Sequence, residues 1–216
     1  MEKIVYTVIT SKDYKLRDPK DRLNIDWQHI CFTNQPRIKS KQWEIIKIKN
    51  DHLTNQKLSR KVKILCHKYL PNCDMSLYLD SRFTICCDLN AFVNNYSNKY
   101  PLSFMLHNRR NCLYDEAEYL MHMNIGSKYR LLKQMQQYQN EGMPAHFGLY
   151  APGVMIRYHN SAHLIGLMEK WWEEVKKWTY RDIVSLPYAL WKTQFTNFNV
   201  MPFHHTYELF MDRQNG

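Results

Sequence analysis

The run Met75-Ser76-Leu77-Tyr78-Leu79 leads straight into Asp80, followed by Ser81 and Arg82. Five mostly apolar residues in a row read as a strand buried on both faces, as in a parallel sheet. An unpaired carboxylate cannot stay in such a core. Asp80 therefore belongs just past the strand's C-terminal end, the edge where open α/β sheets bind ligands. The alternative is a turn aspartate that caps the next segment. A second pattern is Arg60, Lys63 and His67, spaced three and four apart on one helix face. That face is offset from the apolar positions Leu58, Val62, Leu65 and Tyr69, so it is either a functional cationic surface or a solvated basic one. Asp182 opens a helical stretch and is a candidate general base or a plain N-cap. Arg109, Arg110 and Asn111 form a basic polar turn that is either a ligand contact or a surface loop. His159 and Asn160 follow a strand, and His159 reads equally as a ligand contact or a structural histidine. His204 and His205 could complete a metal site with a carboxylate, or be structural residues near a terminus.

These residues need elements to position them. Lys3–Thr10 is β-rich and opens the sheet. Ser11–Arg22 is polar and reads as a loop. Ile30–Asn34 and Trp43–Lys49 are short strands, and residues 51–70 switch to helical period until Pro71 stops them. Beyond the Asp80 strand come a helix over Leu89–Tyr100, a strand over Leu102–His107, and helices over Tyr114–Met123 and Lys128–Gln139. Phe147–Asn160 reads as a loop followed by a strand over Val154–His159. Ser161 is a plausible N-cap for the best amphipathic helix, with Leu164, Met168, Trp171, Val175 and Trp178 on one face. Tyr180–Gln194 is a further helix carrying Pro187, and the tail from Pro202 to Tyr207 reads as irregular. Strands interleaved with helices, and no repeat or linker, argue for one α/β domain.

Composition narrows the chemistry. No apolar run approaches 18 residues and no signal-peptide pattern opens the chain, so the expectation is a soluble cytoplasmic protein, with peripheral membrane attachment left open. Six cysteines include no CxxC pair, which reads as reduced thiols rather than a disulfide frame or zinc site. Residues 1–70 hold 16 Lys and Arg against 7 Asp and Glu, whereas residues 71–216 hold 14 against 13. A basic first third suits nucleic acid, anionic lipid or a phosphorylated small molecule, or is a solvated face. No helix-turn-helix, zinc-finger or RNP signature supports nucleic acid as the partner. With only 6 glycines and no GxGxxG or GxxxxGK[ST], no glycine loop cradles a phosphate. Side chains, a metal or a helix N-terminus would have to hold one.

Several segments, in shared order, resemble a known family. They are Tyr6-Thr7-Val8-Ile9-Thr10, Ile30-Cys31-Phe32-Thr33-Asn34, the segment Arg60 to Pro71, Ser76-Leu77-Tyr78-Leu79-Asp80, Arg110-Asn111-Cys112-Leu113-Tyr114-Asp115-Glu116-Ala117, Gly153 to Asn160, and Trp171 to Glu174 followed by Arg181-Asp182. Together they are similar to a glycosyltransferase-like domain of plants, bacteria and some viruses, long catalogued as a domain of unknown function. The resemblance runs nearly end to end and implies a single-domain α/β fold of GT-A type: a twisted, mostly parallel central sheet flanked by helices. It implies a nucleotide-binding half over 1–80 and an acceptor half over 81–216.

The implied chemistry moves a sugar from a nucleotide-diphosphate-sugar donor, UDP-linked by expectation, to a glycan, glycoconjugate or other hydroxyl acceptor in carbohydrate biosynthesis. In such enzymes the strand-end aspartate belongs to a motif that holds a divalent metal, Mn²⁺ or Mg²⁺, on the donor diphosphate. On this reading Thr7, Arg60, Lys63, His67, Asp80 and Arg82 meet the donor. Asp182 orients the acceptor or acts as base, and Asp80 with His204 and His205 hold the metal. Arg109, Arg110, Asn111, His159 and Asn160 contact a phosphate or the acceptor. Two departures stand out. Arg82 occupies the second acidic position, and Ile183 stands where the family usually has Gln. They keep open a non-catalytic nucleotide-sugar or glycan-binding module of the same fold and, further off, a basic nucleic-acid-binding protein.

Overall fold

The computed structural model describes residues 1–20, 24–50, 52–97, 100–159 and 161–211. Seven strands form one sheet: β1 (Lys3–Ile9), β2 (Gln28–Thr33), β3 (Glu44–Lys47), β4 (Met75–Leu79), β5 (Leu102–Leu106), β6 (Tyr150–Tyr158) and β7 (Asn199–Met201). Their order across the sheet is β3-β2-β1-β4-β6-β5-β7. Strands β3, β2, β1 and β4 are mutually parallel, and β5 is parallel to β7. Strand β6 runs antiparallel to both its neighbours, β4 and β5. The sheet is mostly parallel, as expected, and β6 is the exception that turns its two halves into one surface.

Alternate residues of β1 explain the layering. Ile4, Tyr6 and Val8 enter one core with Val62, Leu65, Leu167 and Trp171, whereas Val5 and Ile9 enter another with Leu77, Leu79, Phe92 and Phe210. A strand that buries both faces reads as continuous apolar sequence. The first face is covered by α1 (Asn55–Ile64), α2 (Cys66–Tyr69), α6 (Ala162–Lys177) and α7 (Asp182–Lys192), and the second by α3 (Leu89–Ser97) and α8 (Phe203–Phe210). A third cluster joins α4 (Leu113–His122) and α5 (Lys128–Asn140) to the outer side of α7 through Val184 and Tyr188.

Local chemistry starts the helices. Thr54 accepts a hydrogen bond from Lys57 N at 3.3 Å to cap α1, and Ser161 caps α6 through Leu164 N at 3.4 Å. Four sequence expectations are corrected. The helix over 51–70 is two helices, because Leu65 leaves helical geometry at φ −88° and ψ 36°. The strand expected from Val154 begins at Tyr150, because pairing with β5 carries it past Pro152 and Gly153 by way of a register shift at Phe104 and Met105. The tail is ordered as β7 and α8, whose Phe203, Tyr207 and Phe210 pack beside Phe83 and Phe92. Asp182 is the first residue inside α7 rather than its N-cap, which is Arg181. No helix among the described residues is long and apolar enough to cross a membrane.

Candidate active site

Strands β1 and β4 end side by side, and above their C-terminal edge lies a polar cleft of about 410 Å³. Its walls are the loop after β1, with Thr10, Asp13 and Tyr14; the first turns of α1, with Asn55, Ser59 and Arg60; the end of β4, with Asp80 and Ser81; and the turn before α7, with Tyr180 and Arg181. Hollows of about 460 Å³ beside Trp191 and about 590 Å³ beside Trp27 are comparable in size. What sets this cleft apart is the convergence of charged side chains from four segments.

Asp80 sits where its strand predicts, immediately beyond Leu79. Its backbone N–H donates to Gly153 O at 2.8 Å, tying the strand end to β6. Its carboxylate accepts from Arg82 N at 3.3 Å and lies 3.6 Å from Arg82 Nε. The expectation that Arg82 meets the donor beside Asp80 needs the chain to run on extended past β4. Instead Phe83 N bonds back to Asp80 O at 2.9 Å, closing a turn. Arg82 therefore curls over Phe83 and Gly153, and Ser81 rather than Arg82 faces the cleft. Gly153 makes this possible, since a Cβ there would sit 3.2 Å from Phe83 and 3.3 Å from the Arg82 guanidinium.

Behind the cleft wall stands a buried ion cluster. Lys63 Nζ donates to Asp182 Oδ2 at 2.5 Å, and Arg60 Nε lies 3.2 Å from Asp182 Oδ1 without the alignment of a hydrogen bond. Lys63 is 3 % exposed, with its ammonium 5.0 Å from the Tyr78 ring centroid and 5.6 Å from that of Trp171. The expected solvated or ligand-facing basic face is thus corrected: Lys63 is interior, and Arg60 is the member that reaches the cleft. Burial pulls the Lys63 amine down to about 8, against the opposing pull of Asp182. Burial alone would raise Asp182, but the charges of Arg60 and Lys63 outweigh it and hold the carboxyl at about 2. Trp171 Nε1 donates to Asp182 O at 3.0 Å, fixing the backbone as well. Such an aspartate is ionised and a weak base, and it lies between Arg60 and Lys63.

The remaining candidates scatter. Thr7 is buried on the opposite sheet face, near Ile9, Leu79 and Phe83, with its hydroxyl unpaired. His67 contacts Glu169 Oε1 at 3.2 Å, and His159 Nε2 contacts Ser76 Oγ at 2.6 Å, both at the N-terminal end of β4, away from Asp80. Burial and the nearby Arg157 charge push His159 down to about 3, so it is neutral. Asn160 lies outside the described residues. Arg110 is bound to Glu116 at 2.6 Å and stacks on Tyr119, Arg109 N points to His107 Nδ1 at 3.4 Å, and Asn111 Oδ1 meets His146 Nδ1 at 2.8 Å. His204 and His205 are exposed on α8, on the other face of the sheet. They form no three-ligand group with Asp80. Among the described residues the group of that kind is Cys112, Asp115 and His146. At Asp80 one carboxylate and the Ser81 hydroxyl are hard oxygen donors, but arginines crowd them. That set fits a divalent ion held jointly with a ligand's phosphates, not one held by protein alone.

Sequence reasoning missed Arg181, Tyr180, Tyr14 and Gly153. Arg181 stood in plain sight beside Asp182; its Nε is buried and unpaired at the cleft wall. Nothing local marked Tyr14, whose ring is half exposed on a loop.

The fold has known counterparts. WbbM, a bifunctional glycosyltransferase, superposes with a TM-score of 0.53 at 8% identity, covering 94% of this chain and 39% of that one. Mouse xyloside xylosyltransferase 1 superposes with a TM-score of 0.51 at 10% identity, covering 93% of this chain and 85% of that one. The chain thus spans well under half of WbbM, and both likenesses establish the GT-A-like fold. No curated protein sequence matches the chain. Residues 5–213 match the TOD1/MUCI70, glycosyltransferase-like domain, and the chain belongs to that family.

Proposed function

We propose that the cleft binds the diphosphate of a nucleotide-sugar donor, a UDP-sugar in the first instance, and that the protein transfers the hexosyl or pentosyl group to a glycan or other hydroxyl acceptor. The observation that carries this is the pairing of two guanidinium groups, Arg60 and Arg181, with Asp80 around one polar cleft at the sheet's C-terminal edge. Guanidinium forks match phosphate oxygens in geometry and charge. Tyr14 offers an aromatic face for the base, and Asn55 and Ser59 offer hydrogen bonds.

In the transfer the acceptor oxygen bonds to the anomeric carbon as its bond to the phosphate oxygen breaks. The acceptor proton passes to a base or solvent, and the nucleoside diphosphate leaves with its extra negative charge. Arg60, held by the buried Asp182 carboxylate, and Arg181 stand where they can meet that charge. Preorganised charge of this kind is the largest single source of catalysis in many enzymes. A divalent ion, Mn²⁺ or Mg²⁺, shared by Asp80 and the diphosphate would add Lewis-acid stabilisation. Asp182 is assigned as a positioning residue, and Asp80 as the donor-side carboxylate.

The Arg82–Asp80 ion pair favours a second reading, a donor-binding module without turnover, because it already neutralises that carboxylate. Two measurements test the proposal. UDP, GDP and CDP are screened for a rise in melting temperature, with DNA as the competing ligand. A bound diphosphate at about 100 times its Kd stabilises by about 2.7 kcal/mol. Release of free diphosphate from a nucleotide sugar then separates enzyme from binding module. Absence of any nucleotide shift at millimolar concentration would refute the donor site.

A further inference from the structure

The six cysteines read from sequence as reduced thiols rather than a disulfide frame or zinc site, but one of them stands in a constellation of a different kind. Cys112 precedes α4 and Asp115 lies in its first turn, three residues on and so on the same face. His146 reaches them from the segment that leads into β6. One ligand atom from each side chain, a sulfur, a carboxylate oxygen and a ring nitrogen, lies within 4.8 Å of the other two. Ligands bound tetrahedrally at about 2.0–2.3 Å from one ion lie roughly 3.3–3.8 Å apart. Rotamer adjustments of about an ångström would close the set.

An independent observation concerns His146. Its φ is +57°, the left-handed region that a non-glycine residue rarely adopts. Such strain persists where surrounding structure holds it, and it concentrates at functional sites. The surroundings here are identifiable. His146 Nδ1 is 2.8 Å from Asn111 Oδ1, and Asn111 O accepts from Gly148 N at 3.1 Å. Gly148 itself has φ +119° and carries the Tyr150 hydroxyl where a Cβ would be. The contact to Asn111 holds the ring in place. A polar partner that orients the ring is a recurring feature of metal-binding histidines.

We propose that Cys112, Asp115 and His146 form a binding site for a divalent transition-metal ion, zinc by its donor set. A thiolate with an imidazole and one carboxylate selects Zn²⁺ over Mg²⁺, Ca²⁺ and Mn²⁺, which prefer all-oxygen sets. Cys112 is buried while Asp115 and His146 are exposed, so the fourth position opens to solvent. The site is separate from the donor cleft. It is built from the segment between β5 and β6, and none of its residues lines that cleft. A bound ion would clamp the start of α4 to the approach of β6.

The test uses the untagged protein, stripped with chelator, and titrates Co²⁺ followed by Zn²⁺. One Co²⁺ per chain is expected. It should give the intense visible absorption of a four-coordinate ion and a near-ultraviolet thiolate-to-cobalt band, both lost when Zn²⁺ displaces it. Cys112→Ser should remove the thiolate band. His146→Ala and Asp115→Asn, both at exposed positions, should each weaken binding at least tenfold while the metal-free melting temperature is retained. Asp80→Ala should leave the cobalt spectrum unchanged. No thiolate band in the parent protein, a band that survives Cys112→Ser, or tight binding that survives His146→Ala would overturn the proposal.

Discussion

Replacing Asp182 by Asn probes the design of the cleft more directly than any other single change. The side chain keeps its shape but loses the charge that sits 2.5 Å from Lys63 Nζ and 3.2 Å from Arg60 Nε. Lys63 is 3 % exposed and has no water to turn to. Removing one partner of a buried pair costs about 3–5 kcal/mol. For a chain of this length each kcal/mol lowers the melting temperature by about 2–4 °C, so the expected fall is roughly 6–20 °C. The pH dependence gives a sharper signature. Lys63 has its folded value depressed to about 8 from the ordinary 10.5. The unfolded chain therefore holds the extra proton between those values, and parental stability rises as pH increases from about 8. In the variant, burial remains but the opposing carboxylate is gone, so the amine deprotonates at lower pH and the rise begins earlier. The gap between parent and variant should accordingly be wider at pH 6 than at pH 9, read by thermal melts across that range. UDP affinity should also fall, because Arg60 loses its anchor. A small, pH-independent gap with donor binding intact and turnover down by about 10²–10⁴ would refute this reasoning and make Asp182 a general base.

Three further outcomes are expected. Arg181→Ala should weaken diphosphate binding by roughly 10–100-fold in calorimetry, the worth of a charged hydrogen bond, with little change in melting temperature, since its Nε has no protein partner to lose. Gly153→Val should cost about 1–3 kcal/mol in chemical denaturation by forcing Phe83 and Arg82 apart, with weakened nucleotide binding because Gly153 O also holds Asp80 N. His159, neutral in the fold with its value down at about 3, must resist a proton that the unfolded chain accepts from pH 6.5 downward. Stability should fall with pH over that window by up to about 1.4 kcal/mol per unit, and His159→Gln should flatten the slope in melts from pH 7 to pH 4.

What was readable in the sequence is what depends on neighbours along the chain. Strands β1 and β4 were legible because burial on both faces leaves no charged residue between Ile4 and Ile9 or between Met75 and Leu79, and the charge that follows β4 marks the edge where the cleft lies. Helices α1 and α6 were legible from their apolar period and from Ser161. Strand β6 was shortened because Pro152 and Gly153 read as loop, yet its partner β5 absorbs them with a register shift. Helix α8 was missed because Pro202 and two histidines outweighed Phe203, Tyr207 and Phe210, which make sense only against Phe83 and Phe92. The Lys63–Asp182 pair joins residues 119 positions apart, and no spacing rule reaches that far. It also inverted the reading of Lys63: an offset from the apolar stripe implied solvent, whereas α6 and α7 cover that side.

The antiparallel strand β6 carries one more implication. Leu106 at the end of β5 pairs with Tyr150 at the start of β6, and His107 N bonds Leu149 O at 3.0 Å. Everything from 107 to 149, with α4, α5 and the Cys112–Asp115–His146 cluster, thus leaves and rejoins the sheet at a single rung. An excursion closed in this way can lengthen at little entropic expense, about 0.6 kcal/mol per doubling if flexible. It packs on α7, where Tyr138 stacks on Tyr188 at 3.7 Å and Val184 joins the same cluster. The segment is therefore a self-contained excursion: its length can change while the Leu106–Tyr150 rung and the packing on Val184 and Tyr188 still hold it to the sheet.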